Sequence, residues 1–360
     1  MTESYLAISD FSGGVSETGR MAEHLGPLGE HVETTVVCLV ADDGVDALTY
    51  REAPTTGLRA LDLLSLFAVA LTEGARNDYD GVVSISLVPY GCFALAVGWL
   101  CGLPTHLAII GVDLDVHARA RYDALTAALF RQFDAITVPG TAHRDQLEAL
   151  GVPGERIEIL ANGVDRGTYS PAETSVDYDY IWVGRFSAEK DPLLFVRTMA
   201  ALVERGEQPR AAMLGTGPLD GAVDDRIDEL GLDDYIDRPG WVDEPANYYH
   251  RARTFVLTSE RDALPLTLLE AMACGLVPVV PDVGNVRDAV TDGESGIVLD
   301  GRDAASFASA LQRLDDDELY HRLSAAAPAV CARFSTERAV EDWQSVLGTL
   351  RAVNGRDAET

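Results

Sequence analysis

Short apolar runs alternate along the chain with longer stretches whose apolar positions recur every third or fourth residue. The short runs predict strands at 5–9, 34–40, 81–87, 105–110, 135–138 and 156–160, and the longer stretches predict helices at 58–71, 92–101 and 118–133 and one ending near 150–151. Residues 93–110 carry no formal charge and nearly reach bilayer length, but Gly98, Gly102, Pro104, Thr105 and His106 divide them. A short buried helix followed by a strand accounts for them better than a span. Asn162-Gly163-Val164-Asp165 then breaks the alternation, and the polar stretch 166–179 reads as a linker. A second series has strands expected at 180–183, 211–214, 254–257, 277–280 and 296–299, with helices between. A last amphipathic helix, 336–351, carries Trp343, Val346, Leu347 and Leu350. Strand-helix alternation implies parallel sheets covered on both faces. The expected fold is therefore α/β, with two Rossmann-like domains facing across a cleft. The first covers 1–165 and the second 166–335, and 336–360 forms a helix and tail returning toward the first.

Composition narrows the partners. The formal net charge is −30 with 58 acidic residues, and Lys190 is the only lysine in 360 residues. Such a surface repels phosphate backbones, which argues against nucleic acid. Acid excess with arginine as the main cation fits a protein working in concentrated salt, so a halophile's cytoplasm is the expected setting. The five cysteines are scattered, without a Cys-x-x-Cys pair, so neither a disulfide framework nor a zinc site is indicated. The opening Met-Thr-Glu-Ser-Tyr has no basic region or leader core, and no signal peptide is expected. The run Asp315-Asp316-Asp317-Glu318 reads as a solvated helix start.

Three stretches carry candidate chemistry. In Ile181–Pro192 an apolar strand ends at Gly184, Arg185 follows, and Lys190 stands just before Asp191-Pro192, where a helix can begin. Arg185 and Lys190 would flank a pocket at the carboxyl end of a strand, where a guanidinium fork and a compact ammonium suit a diphosphate; otherwise they are two surface cations. In the second stretch, 259–275, Pro265 is expected as the first helical residue and Gly275 as the stop. The N–H groups of Leu266 and Thr267 would then face an anion. Glu270, one turn further in, could accept ribose hydroxyls, and Asp262, just ahead of the helix, could hold sugar hydroxyls. The other reading is a core helix with an acid at its amino end. In the third stretch, Gly13 and Gly14 lie in a Gly-rich turn after the first strand, but Gly-x-Gly-x-x-Gly, and with it the dinucleotide fingerprint, is absent.

These residues reach a family. The carboxyl half resembles retaining glycosyltransferases of family 4, which have the GT-B fold. The similarity runs through Asn162-Gly163-Val164-Asp165, with Ala161 where the family has Pro, and Val183-Gly184-Arg185-Phe186 to Glu189-Lys190. It continues through Leu214-Gly215-Thr216-Gly217-Pro218, Pro239-Gly240-Trp241-Val242, Asp262 through Gly275, and Val283-Gly284-Asn285 to Asp288. The resemblance implies a hexosyltransferase, and the acidic composition adds a halophilic archaeon's cytoplasm as its expected setting. The enzyme would move a sugar from a UDP- or GDP-sugar to an acceptor hydroxyl, with a lipid-linked or cell-surface glycan precursor as the expected acceptor class. Arg185 and Lys190 would neutralise the departing diphosphate, Glu270 would hold the ribose and Asp262 would orient the sugar. Gly13, Gly14, Gly184, Gly215, Gly217, Trp241, Val242, Leu264, Pro265, Leu266 and Thr267 would line the donor. No metal and no cofactor is implied; the nucleotide-sugar is a substrate. The Asp-x-Asp triplets Asp113-Leu114-Asp115 and Asp177-Tyr178-Asp179 are ascribed to chance in an acidic chain. The chain departs from the family at Asp262, where Glu is usual, and at Ile110, where His or Arg often precedes the glycine.

On the acceptor side, Asp113, Arg119 and Arg121 are candidates, and His106 and His117 are weaker ones, more readily structural. The stretch 117–133 holds Arg119, Arg121 and Arg131 against one acid, Asp123. It reads as an ordinary amphipathic helix or as a face for an anionic acceptor or a membrane surface. Two rivals stand beside the transferase: a nucleotide-sugar 2-epimerase on the same fold, and a non-catalytic nucleotide-sugar-binding subunit.

Overall fold

The computed structural model describes residues 3–10, 24–41, 45–110, 114, 123–161, 163–172 and 174–357. It divides into two compact units: residues 1–162 with 336–360, and residues 163–335. Each is built on one parallel sheet.

The first unit has seven strands: β1 (Ser4–Ile8), β2 (Glu33–Cys38), β3 (Leu48–Glu52), β4 (Gly81–Ile85), β5 (Thr105–Ala108), β6 (Ala135–Val138) and β7 (Ile157–Ile159). Their order is β3-β2-β1-β4-β5-β6-β7, and every pairing is parallel. β4, β5 and β6 are buried at every position, as strands covered by helices on both faces must be. The uncharged stretch forms the helix Cys92–Cys101 and then β5, and no helix among the described residues is long and apolar enough to cross a membrane. The helix expected over 118–133 is described as Asp123–Phe130. The carboxyl-terminal helix runs Thr336–Asp357, six residues past its expected end, and belongs to this unit. It buries Trp343, Val346, Leu347 and Leu350 against Tyr5, Val36, Val83 and Ala135. The Trp343 indole N–H donates to the His24 carbonyl at 3.2 Å, and Arg351 grips Glu3 with two bonds of 2.7 Å.

The second unit has six strands: β8 (Tyr178–Val183), β9 (Ala211–Leu214), β10 (Ile236–Gly240), β11 (Ala252–Val256), β12 (Val277–Pro281) and β13 (Ile297–Leu299). Their order is β10-β9-β8-β11-β12-β13, again all parallel. The stretch expected to be linker up to 179 is corrected at its end. Tyr178 opens β8, and the N–H groups of Asp177 and Tyr178 both bond to the Arg251 carbonyl at the start of β11. Asp177 is paired with Arg251 and Asp179 with Arg210, so this Asp-x-Asp triplet ties together the amino-terminal ends of β8, β9 and β11. In both sheets the strand order reverses once, between β1 and β4 and between β8 and β11. Ligands of open α/β sheets bind at the carboxyl ends of strands beside such a reversal.

Candidate active site

The loops that leave β8 and β11 lie side by side at the reversal of the second sheet, because those strands are hydrogen-bonded neighbours. The first loop carries Gly184, Arg185 and Lys190; the second carries Thr258, Ser259, Asp262, Leu264 and Pro265. Backbone contacts lace them together: the N–H of Glu260 donates to the Glu189 carbonyl at 2.8 Å. The Lys190 ammonium is hydrogen-bonded to Asp262 Oδ2, and the two side chains are only 19% and 12% exposed. Ser259 Oγ donates to the same carboxylate oxygen at 3.1 Å. An ammonium has three N–H donors, so Lys190 can keep Asp262 and still offer hydrogens to an incoming phosphate oxygen. Arg185 is exposed and makes no ion pair among the described residues.

Steric fit shapes the floor of this region. A Cβ on Gly215, at φ +122°, would lie 2.0 Å from the Gly184 carbonyl oxygen. A Cβ on Gly284, at φ +53°, would lie 1.8 Å from that of Asp262. Only glycine lets the β9 turn and the loop after β12 close this tightly on the two loops. Gly217 sits against the Phe186 backbone, and the Thr216 carbonyl accepts from Phe186 N–H at 3.0 Å. Asn285, fully buried, donates through its backbone N–H and its side chain to the Ala263 carbonyl at 2.7 and 3.1 Å.

The helix after the second loop runs Leu266–Ala273, so Pro265 is its cap rather than its first residue, with φ −68° and ψ 128°. The cause is the extended backbone of Pro265, whose carbonyl already accepts from Leu268 at 3.1 Å. No side chain caps this end, and the N–H groups of Leu266 and Thr267 precede the first intrahelical donor. Glu270 lies on the next turn and accepts from the Tyr249 hydroxyl at 3.0 Å. Burial, and then the Glu270 charge, push the Tyr249 hydroxyl well above its usual range, so it stays a donor and fixes that carboxylate. Beyond β10, Trp241 is 57% exposed with its indole N–H on Asp243, while Val242 is partly buried against the core and Leu264 packs near it.

The structure thus joins Lys190 directly to Asp262 and brings both to the loops ahead of the uncapped helix end. Gly13, Gly14, Asp113, Arg119, Arg121, His117 and Asn162 lie outside the described residues. Val164 is buried and bridges Ser335, and the Asp165 carboxylate closes a turn on Gly167 N–H and Thr168 Oγ. Arg131 donates to the Leu150 carbonyl at 3.2 Å, where a helix ends. His106 is fully buried in the first unit beside Thr137 and Trp343, far into the core rather than on a site. Sequence reasoning missed Tyr249, Thr258, Ser259, Asp191 and Arg302. Of these, Ser259 and Asp191 stood inside stretches already singled out.

Residues 171–330 match the family Glycosyl transferases group 1, and residues 12–163 match the Glycosyl transferase 4-like domain. Among curated proteins, the chain is 32% identical over 182 residues to D-inositol 3-phosphate glycosyltransferase of Frankia alni, covering 44% of each. It is 30% identical over 193 residues to the enzyme of the same name from Paenarthrobacter aurescens, covering 49% of this chain and 47% of that one. The chain spans about half the length of the curated relatives it matches. Among solved structures, HepE from Anabaena in complex with UDP-glucose superposes with a TM-score of 0.80 at 15% identity over 97% of this chain and 99% of that one. Sucrose-phosphate synthase from Thermosynechococcus elongatus gives 0.77 at 17% identity over 98% and 100%. The chain carries a glycosyl transferase 4-like domain followed by a group 1 glycosyl transferase domain, on the two Rossmann-like sheets of the GT-B fold.

Proposed function

We propose that this protein is a metal-independent, retaining glycosyltransferase that moves a sugar from a nucleotide diphosphate to an acceptor hydroxyl. The observation that carries the reading is the placement of the only lysine. Lys190 stands at the reversal of the donor sheet, on Asp262, whose carboxylate Ser259 also holds, in the loop beside the one that leads into an uncapped helix end. Departure of the sugar leaves a nucleoside diphosphate with one more negative charge. Lys190, Arg185 and the N–H groups of Leu266 and Thr267 are the groups that stabilise it, at the moment it forms. Asp262, held by Lys190 and Ser259, orients the sugar, and Glu270, held by Tyr249, receives the ribose hydroxyls. The diphosphate oxygen freed in the same step takes the acceptor proton. Gly184, Gly215 and Gly217 let the backbone approach the donor, and Trp241 and Val242 stand where the loop meets the base. A uracil base is favoured, since the structural neighbour was captured with UDP-glucose. Inositol phosphate is the first acceptor to try, given the names of the curated relatives. Asp113, Arg119 and Arg121 are the proposed acceptor contacts, with Arg131, just past the helix Asp123–Phe130, meeting a membrane surface.

Purified protein incubated with UDP- and GDP-sugars, with and without acceptor and with EDTA, tests this. Acceptor-dependent transfer that survives EDTA is the expected result. Lys190→Ala should lower kcat by about 100- to 1,000-fold, the usual cost of one preorganised donor to a developing anion. Conversion of the donor to an epimer without any acceptor, or binding without turnover, would replace this reading with one of its rivals. Wild-type turnover in Lys190→Ala would remove its basis.

A further inference from the structure

Behind the Lys190–Asp262 pair lies a second arrangement. Asp191 and Ser86 are the non-glycine residues at positive φ among the described residues, and Asp191 sits at φ 45°, ψ 60° directly after Lys190. An L-residue enters this region when its surroundings hold it there. Here the carboxylate does so from three directions. Asp191 Oδ1 accepts from Leu194 N–H at 3.1 Å, capping the helix Pro192–Glu204, and lies 3.5 Å from the Arg197 guanidinium. Asp191 Oδ2 accepts from Arg302 Nη2 at 2.9 Å.

Arg302 comes from the loop after β13, and its side chain is 25% exposed. The same Nη2 donates to the Thr258 carbonyl at 3.0 Å. Thr258 is fully buried at the end of β11. Its hydroxyl lies 2.9 Å from the carbonyl oxygens of both Lys190 and Asp191 and accepts from the Trp182 indole at 2.8 Å. The next residue, Ser259, donates to Asp262. One guanidinium therefore holds the backbone behind both members of the ion pair. Through Asp191 it holds the turn that presents Lys190, and through the Thr258 carbonyl it holds the loop that presents Ser259 and Asp262. It touches neither Lys190 nor Asp262.

We propose that Arg302 is a positioning residue for the diphosphate-binding lysine, acting through Asp191 and the Thr258 carbonyl. This rests on the functional reading given to Lys190 above. Loss of the guanidinium frees Asp191 from its second anchor, lets its backbone leave the left-handed region, and moves the ammonium off Asp262. Displacement of a catalytic group by about 1 Å costs on the order of 100-fold in rate.

The lone lysine makes this directly observable. Protein grown on lysine labelled with 13C at Cε gives one side-chain resonance, which reports the setting of Lys190 without any assay of turnover. In wild type, the two Hε protons should be inequivalent and the signal should move on Asp262→Asn, which removes the partner's charge. Arg302→Ala, and independently Asp191→Asn, should collapse the signal toward that of a free lysine. Asp191→Asn keeps the capping oxygen for Leu194 and so covers the case in which Arg302→Ala fails to fold. An unmoved resonance in either folded variant would overturn the proposal. Kinetics supply the second arm. Arg302→Ala should lower kcat/KM by about 100-fold alone and by nothing further in a Lys190→Ala background, because the two act through one group. Equal losses in both backgrounds would show Arg302 to be a general brace and overturn the inference while leaving the function of Lys190 intact. Unchanged turnover in Lys190→Ala alone would bring down the functional reading and this inference together.

Discussion

At the scale of single residues, burial and pairing decide what each titratable group can do. His106 is fully enclosed, with Nε2 on Thr137 Oγ at 3.1 Å and its ring edge-on to Trp343. Burial first, and then the nearby His24, hold its pKa down from 6.5 to about 3. In the unfolded chain it titrates near the ordinary value, so between these two values the unfolded state binds the extra proton. The stability gained by keeping the ring neutral is complete above pH 6.5 and is lost as pH falls from there toward 3. By pH 5 the loss amounts to about 2 kcal/mol. Urea unfolding of wild type and His106→Gln at pH 7 and pH 5 should show a smaller drop in the variant, which keeps a polar end for Thr137 and cannot protonate. An identical drop in both would assign the acid sensitivity elsewhere. Lys190 was legible from sequence because a residue type used once stands out. Arg302 was not, because its partner Asp191 is 111 positions away and nothing local marks Arg302 as special. Tyr249 was missed for a related reason: its hydroxyl reaches Glu270 only after the short helix Ala246–Tyr249 and the Leu266–Ala273 helix have been laid side by side.

At the scale of elements, the strands that reading the chain found and those it missed differ in one physical respect. Nine of the eleven expected strands sit where apolar runs are demanded by neighbours on both sides, and β7 and β13, at edges, are the exceptions. The two that escaped, β3 and β10, are also edge strands, each paired on one side only. Their sequences, Leu-Thr-Tyr-Arg-Glu and Ile-Asp-Arg-Pro-Gly, are half polar, as edges exposed to solvent tolerate, and the Pro needs no ladder donor there. Helix ends behaved likewise: the apolar stripe of the last helix ends at Leu350, while the mixed run Arg-Ala-Val-Asn-Gly-Arg-Asp carries the helix on to Asp357. That helix is nonetheless part of the first unit's core. Trp343 is fully buried and its N–H is satisfied by the His24 carbonyl. Trp343→Ala should cost about 3–5 kcal/mol, the usual range for deleting a large aromatic from a packed core. Hydrogen exchange should report the loss as faster exchange in β1, β4 and β6, with β8 and β9 unaffected. Uniform loss across both sheets would mean that the helix supports more than its own unit.

At the scale of the whole molecule, the net charge of −30 sets a repulsion that every ion pair works against. The pairs are numerous but mostly exposed, and such pairs contribute about 0–1 kcal/mol each. Some acids, by contrast, face other acids. The Asp228 carboxyl is held above the usual range by the charge of Asp233, by a hydrogen bond to it and by Asp225, all on or beside one helix of the second unit. Salt acts on both terms, weakening the exposed pairs and the repulsion alike. With the excess of acids, the repulsion is the larger sum, so screening should stabilise. The Debye length falls from about 10 Å at 0.1 M to about 3 Å at 1 M, which spans the distances within such clusters. Raising KCl from 0.1 to 2 M should therefore raise Tm. Replacing Asp225 and Asp233 with Asn should raise Tm at low salt and flatten its rise with salt. If Tm instead falls with KCl, the pairs outweigh the repulsion, and the acidic surface has some purpose other than tolerance of concentrated salt. If Tm rises equally in the double variant, salt acts by strengthening apolar burial, and charge is not the variable that matters.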